Sequence, residues 1–243
     1  MLGKPFLMKS LLLSLIIALG ASNVSFADGG VNEKLQEKKA EFSARAPEEK
    51  KRDYEDGIKL VRESGVLERA LNVGDEAPNF KLPNASGDLV NLYDVLNHGP
   101  VVLIWYRGEW CPYCNIYLYE LQKQADKFSA LGATIIAISP AQADHAWSAE
   151  DKSTLKLQVL SDLGSVVADE YGILYKLPPK IAAYYQDAFD LKSVNADDGT
   201  KLPLSASYVI GQDRVISYAY LNADYRERAE INDLLHAVTR LKN

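Results

Sequence analysis

The chain predicts an α/β fold, a central mixed β-sheet flanked by helices with an N-terminal helical extension, and three observations carry this. Residues 101–106 are nearly all apolar and too short for a helix, which marks a central strand covered on both faces. Segments with apolar residues at helical spacing alternate with further short apolar runs. Residues 205–221 then alternate around Gly211-Gln212-Asp213, which reads as a hairpin ahead of a last helix.

The elements follow in chain order. Lys4 and Lys9 precede the apolar stretch 11–19, and Ser25-Phe26-Ala27 supplies small residues at a cleavage site, so residues 1–27 read as a signal peptide cut after Ala27. The expected location is exported, periplasmic or secreted. The apolar stretch falls short of the ~20 residues a bilayer span requires, and no later segment approaches it, so no stable membrane insertion is expected. Residues 28–72 are highly charged and predict a helical extension with helices over 31–44 and 47–64, started by Pro47-Glu48-Glu49 and stopped by Gly65. It reads as a packing or dimer arm with no catalytic part.

From Val73 to the end, residues 73–243 read as one domain. Two short strands around Gly87-Asp88 come first, then the central strand, a helix over 111–130 with Ile116, Leu118, Leu121, Ala125 and Phe128 inward, and a second buried strand over 133–139. A helix over 142–153, a third strand over 157–160 and a short helix over 166–171 follow. Residues 174–202, richer in Pro and Asp, read as a partly helical insertion. Tyr171, Tyr175, Tyr184 and Tyr185 read as half-buried packing, with pocket lining the alternative. The hairpin leads to an amphipathic helix over 226–241.

Composition narrows the partners. The net charge is −6 for the 243 residues and becomes −8 once residues 1–27, with their two lysines and no acid, are removed. An acidic chain of this kind is a poor partner for nucleic acid or an anionic membrane.

The chemistry is expected at Arg107-Gly108-Glu109-Trp110-Cys111-Pro112-Tyr113-Cys114, which follows the central strand and holds both cysteines of the chain. Two cysteines cannot staple a chain of this length, so in an oxidising compartment the pair is a redox tool or a metal clip. Haem attachment fails because Asn115 stands where a histidine is required. A zinc site would have to recruit His98, His145 and His236, none at ligand spacing, so neither metal nor other cofactor is expected. Strand, turn and Cys-x-x-Cys at a helix start is an arrangement in which unpaired N–H groups and the helix dipole stabilise a thiolate. Pro112 suits the first helical turn, so Cys111 is expected at the cap, exposed and attacking, and Cys114 one turn inside, shielded and resolving. Arg107 is the nearest cation, with Glu109 opposing it. Trp110 is expected to shield the loop and to offer a docking surface, so Arg107 and Trp110 are the candidate substrate-binding residues beside catalytic Cys111 and Cys114.

Residues 73–243 resemble the alkyl hydroperoxide reductase and thiol-specific antioxidant family, the peroxiredoxins, which elaborate the thioredoxin fold. The resemblance is carried by Gly74-Asp75-x-Ala77-Pro78-x-Phe80-x-Leu82, the strand before the redox loop, Cys111 to Cys114, Leu160-Ser161-Asp162 and the run from Leu202 to Ile210. A branch with Arg-Gly-x-Trp-Cys-Pro-Tyr-Cys and a late Asp-Tyr-x-x-Arg, here Asp224-Tyr225-Arg226-Glu227-Arg228, is similar in most detail. Two departures stand out. Laying the family's Pro-x-x-x-Thr-x-x-Cys over the loop puts Arg107 at the proline, Cys111 at the threonine and Cys114 at the peroxide-attacking cysteine. The family's arginine ahead of the later strand is replaced by Ser205.

The resemblance implies a thiol-dependent peroxidase acting on hydrogen peroxide or organic hydroperoxides, with a thioredoxin-like electron donor and a homodimer as the assembly it leaves open. The missing threonine and arginine favour the alternative, an exported thiol–disulfide oxidoreductase acting on protein disulfides. In the family register Cys114 attacks first, whereas the helix argument assigns that step to Cys111. Sequence leaves both orders open.

Overall fold

In a computed structural model that describes residues 1, 30–145 and 156–242, the core is a five-stranded mixed sheet in the order β5-β4-β3-β8-β9. Its centre is β3 (Val101–Trp105), with every residue buried. It runs parallel to β4 (Thr134–Ser139), which runs parallel to β5 (Gln158–Ser161). On its other side β3 runs antiparallel to β8 (Ser207–Ile210), paired in turn with β9 (Ile216–Tyr220) in the expected hairpin. The earlier strands β1 (Lys81–Pro83) and β2 (Leu89–Asn91) form a separate antiparallel pair.

Because side chains alternate along a strand, β3 feeds two cores at once. Val101, Leu103 and Trp105 pack on one side, and Val102, Ile104 and Tyr106 on the other. The second side is covered by α1 (Val31–Arg45), α5 (Pro112–Lys123), α6 (Ala125–Ala130) and α10 (Ile231–Arg240). The first is covered by α2 (Glu48–Arg62), α3 (Val66–Arg69), α4 (Leu92–Leu96), α7 (Val166–Glu170), α8 (Pro179–Phe189) and α9 (Leu191–Asn195). The insertion is closed at its base by an antiparallel ribbon of β6 (Leu174–Lys176) and β7 (Lys201–Pro203), which the sequence reading did not foresee.

Several expectations change. The helix expected over 111–130 is two, broken at Gln124. The helix expected from residue 226 begins at Ile231, because the Asp224 carboxylate takes the Arg226 backbone N–H and guanidinium and holds 224–230 as a loop. Of the segment expected as helix over 142–153, Ala143–His145 forms a 3₁₀ turn and the part from 146 lies outside the described residues. The signal-peptide segment lies outside them too, apart from Met1. Among the described residues no helix is long and apolar enough to cross a membrane.

The N-terminal extension is no free arm. Leu35 of α1 is fully buried in the core that includes α5, and Ile58 and Val61 of α2 are buried beside α8.

Candidate active site

The redox loop leaves β3 through Tyr106, Arg107 and Gly108. Gly108 has φ +141°, and a Cβ there would lie 2.4 Å from the Trp110 indole nitrogen, so a side chain would be strained by both backbone and neighbour. Cys111 caps α5, and Pro112 opens its first turn, where a missing N–H leaves no bond unmade. The Cys111 carbonyl accepts from Asn115 N at 3.1 Å. This places Cys111 and Cys114 one turn apart at the helix start.

Both sulfurs are buried, each residue 1% exposed, which corrects the expectation of an exposed Cys111. The cover comes from far along the chain. Trp110 stacks on Phe189 at 4.9 Å and meets Tyr185 at 5.1 Å, both from α8 of the insertion. Tyr113 meets Tyr225 edge-on at 5.6 Å. A cleft of about 270 Å³, part of it open to solvent, lies among Tyr54, Tyr175, Ile181, Tyr185 and Tyr225. Tyr175 and Tyr185 therefore line a pocket, Tyr171 packs on Trp105, and Tyr184 binds Asp53 at 2.5 Å.

Arg107 is 2% exposed and faces aromatic rings, while Glu109, expected to oppose its charge, is exposed. Its guanidinium carbon sits 3.9 Å from the Tyr225 ring centroid, 4.7 Å from that of Tyr185 and 4.8 Å from that of Trp110. Nη1 reaches Cys111 Sγ at 3.9 Å, and the backbone N–H donates to Cys114 Sγ at 3.5 Å. Nε and Nη2 find no acceptor among the described residues. Arg107 and Trp110 thus stand beside the sulfurs, Trp110 as part of the roof.

A second guanidinium was not assigned from sequence. Arg228, 1% exposed, donates through Nη2 to Cys114 Sγ at 3.4 Å, and its Nη1 is tethered to the Tyr225 and Glu227 carbonyls, the latter at 3.0 Å. The signal was the late Asp-Tyr-x-x-Arg motif, whose last residue this is. Ser205, at the position of the family's arginine, is buried with its hydroxyl unpaired among the described residues. The guanidinium in contact with the Cys114 sulfur therefore comes from the loop after β9.

These surroundings split the two thiols. Burial alone pushes the Cys114 thiol up, but a hydrogen bond from the Cys111 thiol, the Arg228 and Arg107 charges and the Arg107 N–H outweigh it and hold Cys114 down at about 5. Burial, together with the neighbouring Cys114 charge, pushes Cys111 well above the usual thiol range. These surroundings favour the thiolate on Cys114 and the thiol on Cys111, in the direction of the family register rather than of the helix-cap argument.

The AhpC/TSA family model matches residues 73–219, more than half of the chain. The chain belongs to the AhpC/TSA family. Among its AhpC/TSA relatives is the chloroplastic peroxiredoxin Q of Oryza sativa subsp. japonica, 27% identical over 171 residues, which covers 70% of this chain and 68% of the relative. Peroxiredoxin Bcp of Escherichia coli K12 is 30% identical over 104 residues, covering 42% of this chain and 65% of the relative. The crystal structure of the peroxidoxin BcpB from Mycobacterium tuberculosis superposes with a TM-score of 0.53 at 20% identity, over 71% of this chain and 99% of that one. The fold is thus the AhpC/TSA form of the thioredoxin fold. Both α1–α2 and Arg228 lie outside the matched span.

Among the described residues no group of three or more His, Cys, Asp or Glu side chains is placed to hold a metal ion.

Proposed function

We propose that the chain is an exported thiol-dependent peroxidase in which Cys114 attacks and Cys111 resolves. The observation that carries this is the buried Cys114 sulfur, which accepts from the Arg228 guanidinium and the Arg107 backbone N–H. The thiolate attacks the nearer peroxide oxygen, the O–O bond breaks, and the leaving oxygen departs as water or an alcohol after taking a proton. The Arg107 N–H groups that lack an acceptor face the developing charge on that oxygen. The Cys111 sulfur then displaces hydroxide from the Cys114 sulfenic acid, its thiol proton completes a water molecule, and a Cys111–Cys114 disulfide remains. A thioredoxin-like dithiol donor returns the two electrons. Arg107 and Trp110 serve the substrate: Arg107 by charge, Trp110 by closing the loop against solvent. Membership of the AhpC/TSA family supports the reaction class, and the Lys4, Lys9 and Ser25-Phe26-Ala27 pattern supports export.

The thiol–disulfide oxidoreductase reading keeps the Cys-x-x-Cys spacing at a helix start and the missing threonine and arginine. Burial of both sulfurs weighs against it, since a protein disulfide must meet an accessible sulfur in line, whereas a peroxide is small enough to enter a cleft.

The reduced protein mixed with hydrogen peroxide or cumene hydroperoxide should lose two thiols per peroxide at a rate far above that of free cysteine. Cys111→Ser should stop at a Cys114 sulfenic acid that dimedone traps, and Cys114→Ser should not react. Trapping on Cys111 in the Cys114→Ser protein would reverse the assignment. A rate no faster than free cysteine, with efficient insulin reduction, would replace the peroxidase by the oxidoreductase.

A further inference from the structure

We propose that Asn32 is a positioning residue for the reactive sulfur, acting through Arg228. The inference deepens the peroxidase reading and rests on it for its purpose. Arg228 lies in the loop 224–230, between β9 and α10, where neither sheet nor helix fixes the backbone. Its peptide is instead held by one side chain from the start of α1. Asn32 Nδ2 donates to the Arg228 carbonyl at 2.9 Å, and the Arg228 N–H donates to Asn32 Oδ1 at 3.2 Å. The amide thus completes both backbone groups of the residue whose guanidinium reaches Cys114.

Asn32 is itself fixed. The Glu230 carboxylate accepts from the Val31 and Asn32 backbone N–H groups at 3.1 and 3.3 Å, and from Asn32 Nδ2 at 2.8 Å. A carboxylate at a helix N-terminus satisfies unpaired donors and is favoured by the helix dipole. One turn further, on the same face of α1, Gln36 Nε2 donates to Glu227 Oε1 at 2.8 Å. Val31 and Leu35 anchor this turn in the core shared with α5. The line of contact runs from a buried helix end through one amide to a backbone, and from there through one guanidinium to sulfur.

The charged and titratable groups around Cys114 come from several elements: Cys111 at the α5 cap, Arg107 from the loop after β3, Arg228 from 224–230 and Tyr175 from β6. Tyr117, one turn along α5, faces Arg228 with its ring centroid 5.9 Å from the guanidinium carbon. Among these, Arg228 is the one whose backbone N–H and carbonyl both bond to Asn32. Asn32 should therefore tune the sulfur's acidity without touching it.

The test is the pH profile of Cys114 alkylation by iodoacetamide in the full reduced chain, read by mass spectrometry beside the peroxide rate. Asn32→Ala should move the alkylation midpoint up by about one pH unit, a roughly fivefold slower reaction at the parent's midpoint, with recovery at pH 9. Asn32→Ser, which cannot span both backbone groups, should shift it in the same direction. Glu37→Ala, an exposed site on the same helix, should overlay the parent. An Asn32→Ala profile that coincides with the parent's, or a rate lowered equally at every pH, overturns the proposal. Failure of both Asn32 variants to fold makes the residue structural and overturns it as well. If the midpoint moves but the parent does not consume peroxide, the positioning role stands and the peroxidase reading falls.

Discussion

At the scale of single residues, the site depends on a sulfur whose charge is kept by two arginines from opposite ends of the domain. Arg228→Met removes one of them while keeping bulk. An opposite charge within a few ångströms lowers an acidic group by about one to three pH units, so Cys114 should titrate higher by about that much. Stopped-flow peroxide consumption at pH 6 should slow by about 2-fold for a one-unit rise to about 90-fold for a three-unit rise, and the deficit should shrink at pH 9, where the thiolate forms unaided. In the parent the same rate should stay flat across neutral pH and decline only as pH falls through about 5, where Cys114 takes up its proton. Gly108 carries a different load. Gly108→Ala places a methyl against the Trp110 indole at a positive φ, and urea unfolding should report a loss of about 1–3 kcal/mol. An unchanged urea midpoint would remove the claim that this glycine is required.

At the scale of elements, the loop 224–230 is where a local sequence window and the folded chain disagree. Arg226 to Leu241 reads as one amphipathic helix because Ile231, Leu234, Ala237 and Val238 repeat at helical spacing, and those residues do form α10. The first five positions are claimed by charge. Arg226, buried with 4% side-chain exposure, bonds Asp224 through Nε and Nη2 and Glu55 of α2 through Nη1 and Nη2. Asp224→Ala should cost toward the lower end of ~3–5 kcal/mol in urea unfolding, since the guanidinium keeps one carboxylate. Glu55→Gln, at a carboxylate 58% exposed, should cost under about 1 kcal/mol. Equal costs for the two would contradict a buried pair with a surface partner. The central strand was legible for the opposite reason: 101–105 needs only apolar side chains on both faces, which composition alone reveals. The two cysteines and the Pro112 helix start were legible as local signals too. Their burial was not, because Tyr185, Phe189 and Tyr225 reach the loop from 75 to 112 residues away, and neither was Arg228, which meets Cys114 across 114 positions.

At the scale of the whole molecule, the extension is part of the fold and its attachment has a pH signature. The hydrogen bond from Arg226 holds the Glu55 carboxyl below its usual range, and at Asp224 the same arginine outweighs the upward push of burial. For carboxyls depressed in the folded state, the stabilisation is fully present above the ordinary carboxylate range, ~4, and is lost as pH falls through the lowered values. In a Cys114→Ser background, which removes the depressed thiol's own loss of stability between about pH 8 and 5, the urea midpoint should therefore be level from pH 7 to 5 and drop below about 4, with a shallower drop when Asp224→Ala is added. A drop of equal steepness in that variant would assign the acid sensitivity elsewhere.

The clasp between Asn32 and Arg228 joins positions 196 apart in the chain. Contacts so distant in sequence close late, since the intervening segment must first be ordered. A ribosome would release residue 32 long before residue 228, so the growing polypeptide carries two ordinary cysteines. The sulfur acquires its acidity only when the tail returns to meet the beginning, and reactivity toward oxidants arrives as the final act of maturation.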